Sequence, residues 1–259
     1  MSTLPTEPRL APAIVITGAS AGIGRALACE FAKRGWRLGL AARRLDALTA
    51  LRDELHSQPG SGTTQIELLQ LDVDEEDTVA PKLLTLFGAL GSVDVVVVNA
   101  GINAFSSVGR GDLGTERRIL RTNLLGAIAT IDAAAAYFMP QRRGHIVAIA
   151  SVAAKVAVPR QAAYCASKAG LAHYMDAARI ELSRHGITVG TLLPGFVVTD
   201  IMPDIGKYPF AIAAEAAAAD MAGAIIRRQR TAYIPSFPWR WAHPLLNALP
   251  ASFWRRFSR

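Results

Sequence analysis

A tyrosine and a lysine stand four residues apart in the segment YCASK, Tyr164 to Lys168. The surrounding residues are rich in alanine and predict a helix, in which positions i and i+4 lie on one face, one turn apart. A phenol beside an ammonium is either an ordinary amphipathic pair or an acid tuned for proton transfer. Which of the two applies depends on whether the rest of the chain builds a site around the pair.

A glycine-rich turn, TGASAGIG (17–24), follows the apolar run AIVIT (13–17) and precedes a helical pattern. Ligands of open α/β sheets bind beyond the carboxyl ends of the strands, which is where this turn lies. Gly18 permits the tight turn, Gly22 lets the backbone approach a pyrophosphate, and Gly24 allows close packing of helix on sheet. The free N–H groups of the helix N-terminus suit a phosphate. No Gly-Lys-Ser/Thr follows, so the turn is not a P-loop, and a turn without a ligand is the alternative.

The second predicted strand ends in AARR, with Arg43 and Arg44 at its end. Rossmann proteins that use NAD commonly place an acid here for the ribose 2′-hydroxyl, whereas arginine favours a 2′-phosphate. The nearby Asp46 falls later, in the start of the next helix. We therefore expect NADP(H) to be preferred over NAD(H), with Arg43 the stronger candidate. The alternative is that both arginines are surface charges.

Strand and helix patterns alternate along the chain. The predicted strands are 13–17, 37–42, 65–73, 93–101, 145–151 and 186–195, and the predicted helices are 22–34, 45–55, a helix opened by the acidic residues 74–77, 115–138, and the YCASK helix, which ends near 184. The unalternating apolar run at 93–101 is typical of a central parallel strand covered on both faces. This pattern predicts an α/β fold: a single doubly wound parallel-sheet, Rossmann-like domain with helices on both faces. We assign 1–12 to a flexible leader, 13–235 to the domain and 236–259 to a tail.

Composition narrows the functional classes. Apolar residues make up 51% and charged residues 19% of 259 residues, which predicts a large core and little disorder. The net charge of +7 comes from scattered arginine pairs without a nucleic-acid-binding motif, so we expect no nucleic acid partner. Cys29 and Cys165 predict no disulfide, which favours a cytoplasmic location, and the histidine spacing predicts no metal site. We find no secretion signal and no uncharged apolar run long enough to span a membrane.

Taken together, these motifs resemble the short-chain dehydrogenase/reductase family, in its branch of compact single-domain oxidoreductases. TGASAGIG matches the family's cofactor turn, NAG (99–101) the motif after its fourth strand, and YCASK its Y-x-x-x-K. Asn123 in RTNLLG, Ser151 in AIAS and PGFVVT (194–199) extend the match, in the family's order, over roughly residues 13–200.

The resemblance implies catalytic roles for four residues. Tyr164 would give a proton to the substrate oxygen or take one from it. Lys168 would lower the pKa of the Tyr164 phenol, as would a positive nicotinamide. Lys168 would also bind the nicotinamide ribose. Ser151 would stabilise charge on the substrate oxygen, and Asn123 would hold a water that links Lys168 to solvent. Each residue also has a purely structural alternative.

The resemblance also implies the cofactor contacts. Beyond the glycines and arginines above, we expect contacts from Ser20, Ile23, Asp72, Val73, Asn99, Ala100, Gly101, Tyr164, Lys168, Pro194, Gly195, Val197 and Thr199. Asp72 and Val73 would flank the adenine, and the residues after 193 would meet the carboxamide end.

Residues 200–219 lie where the family has a mobile substrate loop. Their apolar content (Ile201, Met202, Ile205, Tyr208 and Phe210), with Phe105 and Val108 from the loop after NAG, favours a hydrophobic carbonyl or alcohol substrate.

The tail 236–259 holds three tryptophans (Trp239, Trp241, Trp254), four arginines and no acid, with Leu246, Leu249, Phe253 and Phe257 at helix-like spacing. Packing across the substrate cleft or a subunit interface is the favoured interpretation. The alternative is peripheral contact with an anionic membrane.

We therefore expect an NADP(H)-dependent oxidoreductase that acts on a small-molecule carbonyl/alcohol pair and assembles as a homodimer or homotetramer. A non-catalytic NADP-binding sensor or scaffold with the same fold is the alternative. Ser151 and Tyr164 argue against it, because binding alone needs neither.

Overall fold

The computed structural model describes residues 10–57, 65–199 and 208–248, with the backbone alone for 243–247. Its strands are β1 (Ala13–Thr17), β2 (Arg37–Ala42), β3 (Ile66–Gln70), β4 (Val95–Val98), β5 (Gly144–Ile149), β6 (Ile187–Pro194), β7 (Val197–Val198), β8 (Ile212–Ala213) and β9 (Thr231–Ile234). Its helices are α1 (Gly22–Lys33), α2 (Leu45–Ser57), α3 (Glu76–Leu90), α4 (Leu113–Leu120), α5 (Gly126–Phe138), α6 (Ala162–Ser183), α7 (Ala214–Ile226) and α8 (Ser236–Ala248). A π-helical segment, Arg121–Leu125, joins α4 to α5, and a short 3₁₀ turn covers Val152–Ala154.

Seven parallel strands form the main sheet, in the order β3-β2-β1-β4-β5-β6-β9. The order in which successive strands are added reverses between β1 and β4, so the connections that leave their carboxyl ends run to opposite sides and leave a crevice. The predicted doubly wound, Rossmann-like fold is confirmed. A separate two-stranded sheet pairs β7 with β8.

Apolar side chains on the two faces of the sheet form two cores, which explains why the central strands are apolar throughout. Ile14 and Ile16 of β1 pack with Phe31 of α1 and Met221 of α7 on one face. Val15, between them, packs with residues of α3, α5 and α6 on the other face. Side chains alternate across a strand, so a strand covered on both sides must be apolar at every position.

The helical stretch Leu113–Phe138 is, among the described residues, long and apolar enough to cross a membrane. More than half of its most apolar window is buried inside the fold, and Ala134 and Phe138 belong to the core. The apolar character of this stretch is therefore explained by its packing against the sheet and against α3.

Several predicted boundaries were too long. The strands predicted at 65–73 and 93–101 end at Gln70 and Val98, because the residues that follow leave the sheet and line a cleft. The helix predicted at 115–138 contains the π-helical segment, which no pattern in the sequence indicated. β9 was also missed, since it is short and lies at the edge of the sheet.

Residues 236–248, which the sequence assigned to a separate tail, form α8 beside the last strand. Residues 1–9, 200–207 and 249–259 lie outside the described part of the chain. The expectations for Ile201, Met202 and Ile205, and for the tail from Leu249 onward, fall on those ranges.

Candidate active site

A cleft of about 1160 Å³ lies across the carboxyl ends of the parallel strands. Residues after β1, β2, β3, β4, β5 and β6 all line it. Its volume exceeds the roughly 300–1,000 Å³ of most small-molecule pockets, so it has room for a dinucleotide together with a substrate.

Nearly all the predicted site residues meet in this cleft. The predicted residues that line the cleft are Gly18, Ser20, Ile23, Arg43, Arg44, Asp72, Val73, Asn99, Ala100, Gly101, Ser151, Tyr164, Lys168, Pro194, Gly195, Val197 and Thr199. Gly22 and Gly24 are not part of the lining: Gly22 packs near Thr199 and Gly24 beneath Gly18. Asn123 lies in the buried layer behind Gly101.

The glycine-rich turn forms a concave backbone surface, called the glycine cradle below, that has no room for a side chain at Gly18 or Gly24. A Cβ on Gly18, where φ is +69°, would come within 2.8 Å of the Ala100 Cα, and one on Gly24 within 2.3 Å of the Gly18 carbonyl oxygen. The N-cap of α1, Ala21, provides no side-chain hydrogen bond to the first N–H groups of the helix. A pyrophosphate fits this arrangement, because exposed backbone N–H groups and the helix dipole both favour an anion.

Hydrogen bonds from Thr17 and Asn99 join the turns after β1 and β4. The Thr17 Oγ1 accepts from the Asn99 and Ala100 backbone N–H groups at 3.1 and 3.2 Å. The Asn99 Nδ2 donates to the carbonyls of Thr17 at 2.9 Å and of Gly18 at 3.3 Å. The edge of the crevice is therefore fixed by the protein itself.

Arg43 and Arg44 are exposed side chains at the end of β2, on the wall of the cleft. The Arg44 guanidinium donates to the carbonyl and hydroxyl oxygens of Ser20, at 3.4 and 3.5 Å. The glycine-rich turn thus orients the Arg44 side chain. The sequence alone did not indicate this contact and favoured Arg43 instead. Both arginines line the cleft on the side of the turn.

Ser151, Tyr164 and Lys168 come together at the end of β5. Ser151 is buried, and its hydroxyl lies near enough to the Tyr164 phenol to lower the pKa of that phenol. The Lys168 Nζ lies 5.9 Å from the centre of the Tyr164 ring and donates to the Ile149 carbonyl at 2.9 Å. The one-turn spacing of YCASK therefore places phenol and ammonium side by side in the cleft.

Burial dominates the proton affinities of this pair. It raises the pKa of the Tyr164 phenol above its ordinary value, against the lowering effect of the Ser151 hydroxyl. It also lowers the pKa of the Lys168 ammonium to about 8. Desolvation is the largest cause of the raised pKa of the phenol. That Lys168 and a positive nicotinamide make the phenol more acidic stays a prediction.

Asn123 is fully buried in the π-helical segment, where it clamps the loop after β4. Its Nδ2 donates to the Ile102 carbonyl at 2.9 Å, and its Oδ1 accepts from the Ile102 N–H at 2.7 Å. The Nδ2 also lies 3.3 Å from the Ser167 Oγ. Single π-helical turns inside α-helices are frequent at functional sites. That Asn123 holds a water molecule stays a prediction.

The two other polar residues of YCASK contribute structurally. Ser167 is buried and donates to the Tyr164 carbonyl at 2.7 Å, besides lying near Asn123, and it does not line the cleft. The Cys165 thiol accepts from the Val158 N–H at 3.4 Å and lies 3.7 Å from the Val156 carbonyl. Burial raises its pKa, as suits a packed thiol that holds the cleft-lining loop.

Aromatic side chains line one part of the cleft. They are Phe105, Phe196, Tyr208, Phe210 and Trp239. Phe105, Tyr208 and Phe210 were expected there, whereas Val108 is 82% exposed and does not line it, because its loop projects into solvent.

The sequence analysis did not identify Thr17, Ser167 and Phe196 as residues of the site. It indicated Trp239 only through the interpretation that the tail packs across the cleft. Thr17 belongs to TGASAGIG and Phe196 to PGFVVT, so their membership of these motifs is the signal that could have found them.

Comparison with known proteins agrees with this geometry. Residues 12–208 match the family model described as short chain dehydrogenase. The chain belongs to the short-chain dehydrogenase family. Members of this family are oxidoreductases that bind a nicotinamide cofactor, act on small molecules and commonly form oligomers.

Relatives within the family span nearly the whole chain. An uncharacterized oxidoreductase of Myxococcus xanthus is 36% identical over 89% of this chain and 88% of its own length. One of Mycobacterium tuberculosis is 34% identical over 95% of this chain and 96% of its own. The crystal structure of a short-chain type dehydrogenase/reductase from Mycobacterium marinum, 30% identical, superposes with a TM-score of 0.77 over 86% of this chain and 92% of that one.

The buried ammonium of this short-chain dehydrogenase makes its stability depend on pH. Because the pKa of Lys168 is about 8 in the folded protein and about 10.4 in the unfolded chain, the unfolded chain binds more protons between these values. We therefore expect the free energy of unfolding of the wild type, relative to Lys168→Met, to rise by up to roughly 3 kcal/mol from pH 8 to pH 10.5. Urea unfolding of both proteins at several pH values measures this.

The same comparison in a Tyr164→Phe background removes the neighbouring phenol as a source of the pH dependence. A wild-type to Lys168→Met difference that stays constant from pH 7 to pH 10.5 in both backgrounds would contradict the burial of a titrating ammonium.

Proposed function

We propose that this protein transfers a hydride between NADP(H) and a carbonyl/secondary alcohol pair, with Tyr164 as the general acid and base. The observation that carries the proposal is that Ser151, Tyr164 and the buried Lys168 line the same cleft as the glycine cradle. A protein that binds a dinucleotide without reacting it has no need of a phenol and a hydroxyl directed at one point.

Each side chain has a definite task in this reaction. A bound nicotinamide supplies or accepts the hydride at the substrate carbon. The Ser151 and Tyr164 hydroxyls donate hydrogen bonds to the substrate oxygen, where negative charge develops as the carbonyl is reduced. Tyr164 gives its proton to this oxygen during reduction and takes it back during oxidation.

Lys168 and Asn123 support the proton transfer. The Lys168 ammonium stabilises the phenolate that Tyr164 becomes, and it reaches the nicotinamide ribose from the same position. A Cβ at Gly101 would stand 3.2 Å from the Asn123 Oδ1 and 3.6 Å from the Lys168 Nζ, so a side chain at 101 would press first on Asn123. Asn123 fixes the adjoining loop through Ile102. Reprotonation of Tyr164 then proceeds through Lys168 and a water beside Asn123.

The cofactor preference follows from charge at the end of β2. Arg43 and Arg44 offer two guanidinium groups beside the turn that cradles the pyrophosphate, and no acid stands at this strand end to receive a 2′-hydroxyl. Guanidinium groups bind phosphate through several charge-assisted hydrogen bonds. We therefore assign NADP(H) as the preferred cofactor. Residues 41–44 and 71–73 would surround its adenosine.

The apolar side chains of the cleft favour a hydrophobic substrate. Homodimeric or homotetrameric assembly, a cytoplasmic location and contact of the tail with a membrane all stay predictions.

Replacement of Tyr164 by Phe tests the mechanism. Loss of the phenol removes the proton donor, so we expect kcat for NADPH-dependent ketone reduction to fall by about 10²–10⁴-fold. The dissociation constant for NADPH, measured by fluorescence titration, should change little. Activity is followed by NADPH absorbance over a panel of ketones, aldehydes, steroids and 3-ketoacyl thioesters.

Tyr174→Phe is the matched control, because Tyr174 lies on the same helix among core residues and outside the cleft lining. A Tyr164→Phe protein as active as the wild type would refute the assigned role. A wild type that binds NADPH and turns over no compound of the panel would favour the sensor or scaffold alternative.

Replacement of both arginines by Ala tests the cofactor preference. Hydrogen bonds to charged groups contribute about 1.5–3 kcal/mol each, so we expect the ratio of kcat/KM for NADPH over NADH to fall by roughly 10–100-fold in the Arg43→Ala/Arg44→Ala variant. The NADH value itself should change little. Arg52→Ala, on the exposed side of α2 and paired with Asp53, is the control. An unchanged ratio would show that the two guanidinium groups do not read the 2′-phosphate.

A further inference from the structure

The last described helix, α8, is held against the carboxyl end of β6. Pro194 of β6 pairs with Ile234 of β9, and the Gly195 N–H donates to the Ile234 carbonyl at 2.8 Å. The chain enters α8 two residues later. The position of this helix over the cleft is therefore set by the sheet.

One face of α8 closes the cleft through Trp239. Its indole is 6% exposed, whereas Trp241, two residues on, is 68% exposed. Ala242, about one helical turn after Trp239, also lines the cleft, as does the neighbouring Pro238. The face that bears Trp241 looks outward.

Trp239 lies directly on Gly195. A Cβ at Gly195 would come within 2.0 Å of the Trp239 Nε1, so any other residue there would displace the indole. The ring of Phe196 meets the indole edge to face, with centroids 5.0 Å apart, and Tyr208 packs on Phe196 at 5.1 Å. Together these three rings form a continuous aromatic wall.

The wall is next to the reacting groups. Ser151, which lines the cleft together with Tyr164, donates to the Pro194 carbonyl at 3.5 Å, and Gly195 under the indole is the next residue. A carbonyl compound whose oxygen meets Ser151 and Tyr164 must therefore direct one of its substituents toward Trp239. That substituent meets ring surfaces, which favour aromatic and other apolar groups.

We propose that Trp239 is the residue that sets substrate size, and that it selects carbonyl compounds with an apolar, ring-containing substituent that packs against its indole. This inference rests on the proposed function, because it takes Ser151 and Tyr164 as the groups that fix the substrate oxygen. It assigns a role in the site to a helix from the tail of the chain.

A series of methyl ketones with phenyl, naphthyl and anthracenyl substituents tests the proposal. Removal of the indole in Trp239→Ala opens room beside Gly195, so we expect kcat/KM for naphthyl over phenyl ketone to rise by roughly tenfold or more. Trp239→Phe, which keeps an aromatic contact with Phe196, should give a smaller rise. Trp241→Ala, on the outward face of the same helix, should leave the ratio within twofold of wild type.

Melting temperatures of all variants show whether each is folded. A naphthyl-to-phenyl ratio unchanged in a folded Trp239 variant would overturn the proposal. An equal rise in Trp241→Ala would also overturn it, because the effect would then come from general loosening of the helix.

A second measurement uses the wild-type sequence labelled with 5-fluorotryptophan, its resonances assigned with Trp239→Phe and Trp241→Phe. Saturation with the naphthyl ketone in the presence of NADP⁺ should shift the Trp239 fluorine resonance and leave that of Trp241 in place. If the ketone binds and the Trp239 resonance does not move, the proposal fails.

Calorimetric titration of the same ketones into the NADP⁺ complex separates this proposal from the proposed function. If no ketone is reduced and yet Trp239→Ala shifts their relative affinities as predicted, the oxidoreductase assignment fails and the wall stands. If ketones are reduced and neither affinity nor kcat/KM responds to Trp239, the wall fails and the assignment stands.

Discussion

Keeping the Lys168 ammonium away from water costs free energy, and much of the surrounding structure follows from that cost. The side chain is 5% exposed, and burial lowers its pKa to about 8. An isolated buried cation would simply lose its proton. Here the Ile149 carbonyl at the end of β5 receives a hydrogen bond from it, and the Tyr164 ring lies beside it. A lysine so placed is ready to favour a phenolate or to grip a ribose.

The sheet places the turns that carry the other parts of the site at one edge. The strands are parallel, so the turns after β1, β4, β5 and β6 all face the cleft, and Thr17 and Asn99 join two of these turns by hydrogen bonds. Asn123 secures the next loop through Ile102. The glycine cradle, the group of Ser151, Tyr164 and Lys168, and the aromatic wall are therefore positioned by the fold at one edge of the sheet.

The sequence predicted the fold and the main site residues where local chemistry specifies the structure. Glycines at positions such as 18 and 24 have a steric reason that spacing reveals, and the four-residue interval from Tyr164 to Lys168 follows from helix geometry. Features that depend on contacts distant in sequence were not predictable. Asn123 meets Ser167 through a π-helical turn that no periodicity shows, and Trp239 reaches Gly195 from a segment more than forty residues further along the chain. The burial that raises the pKa of Tyr164 could not be predicted for the same reason, since desolvation depends on the complete fold.

The central claim is that the cleft passes a hydride from a nicotinamide to a carbonyl carbon. NADPH carrying deuterium at both C4 positions tests it directly, with the alcohol product examined by mass spectrometry. The account predicts one deuterium per alcohol molecule, bound to the carbinol carbon and absent from solvent-exchangeable positions. Alcohol formed without deuterium, or NADPH consumed without formation of any alcohol, would contradict it.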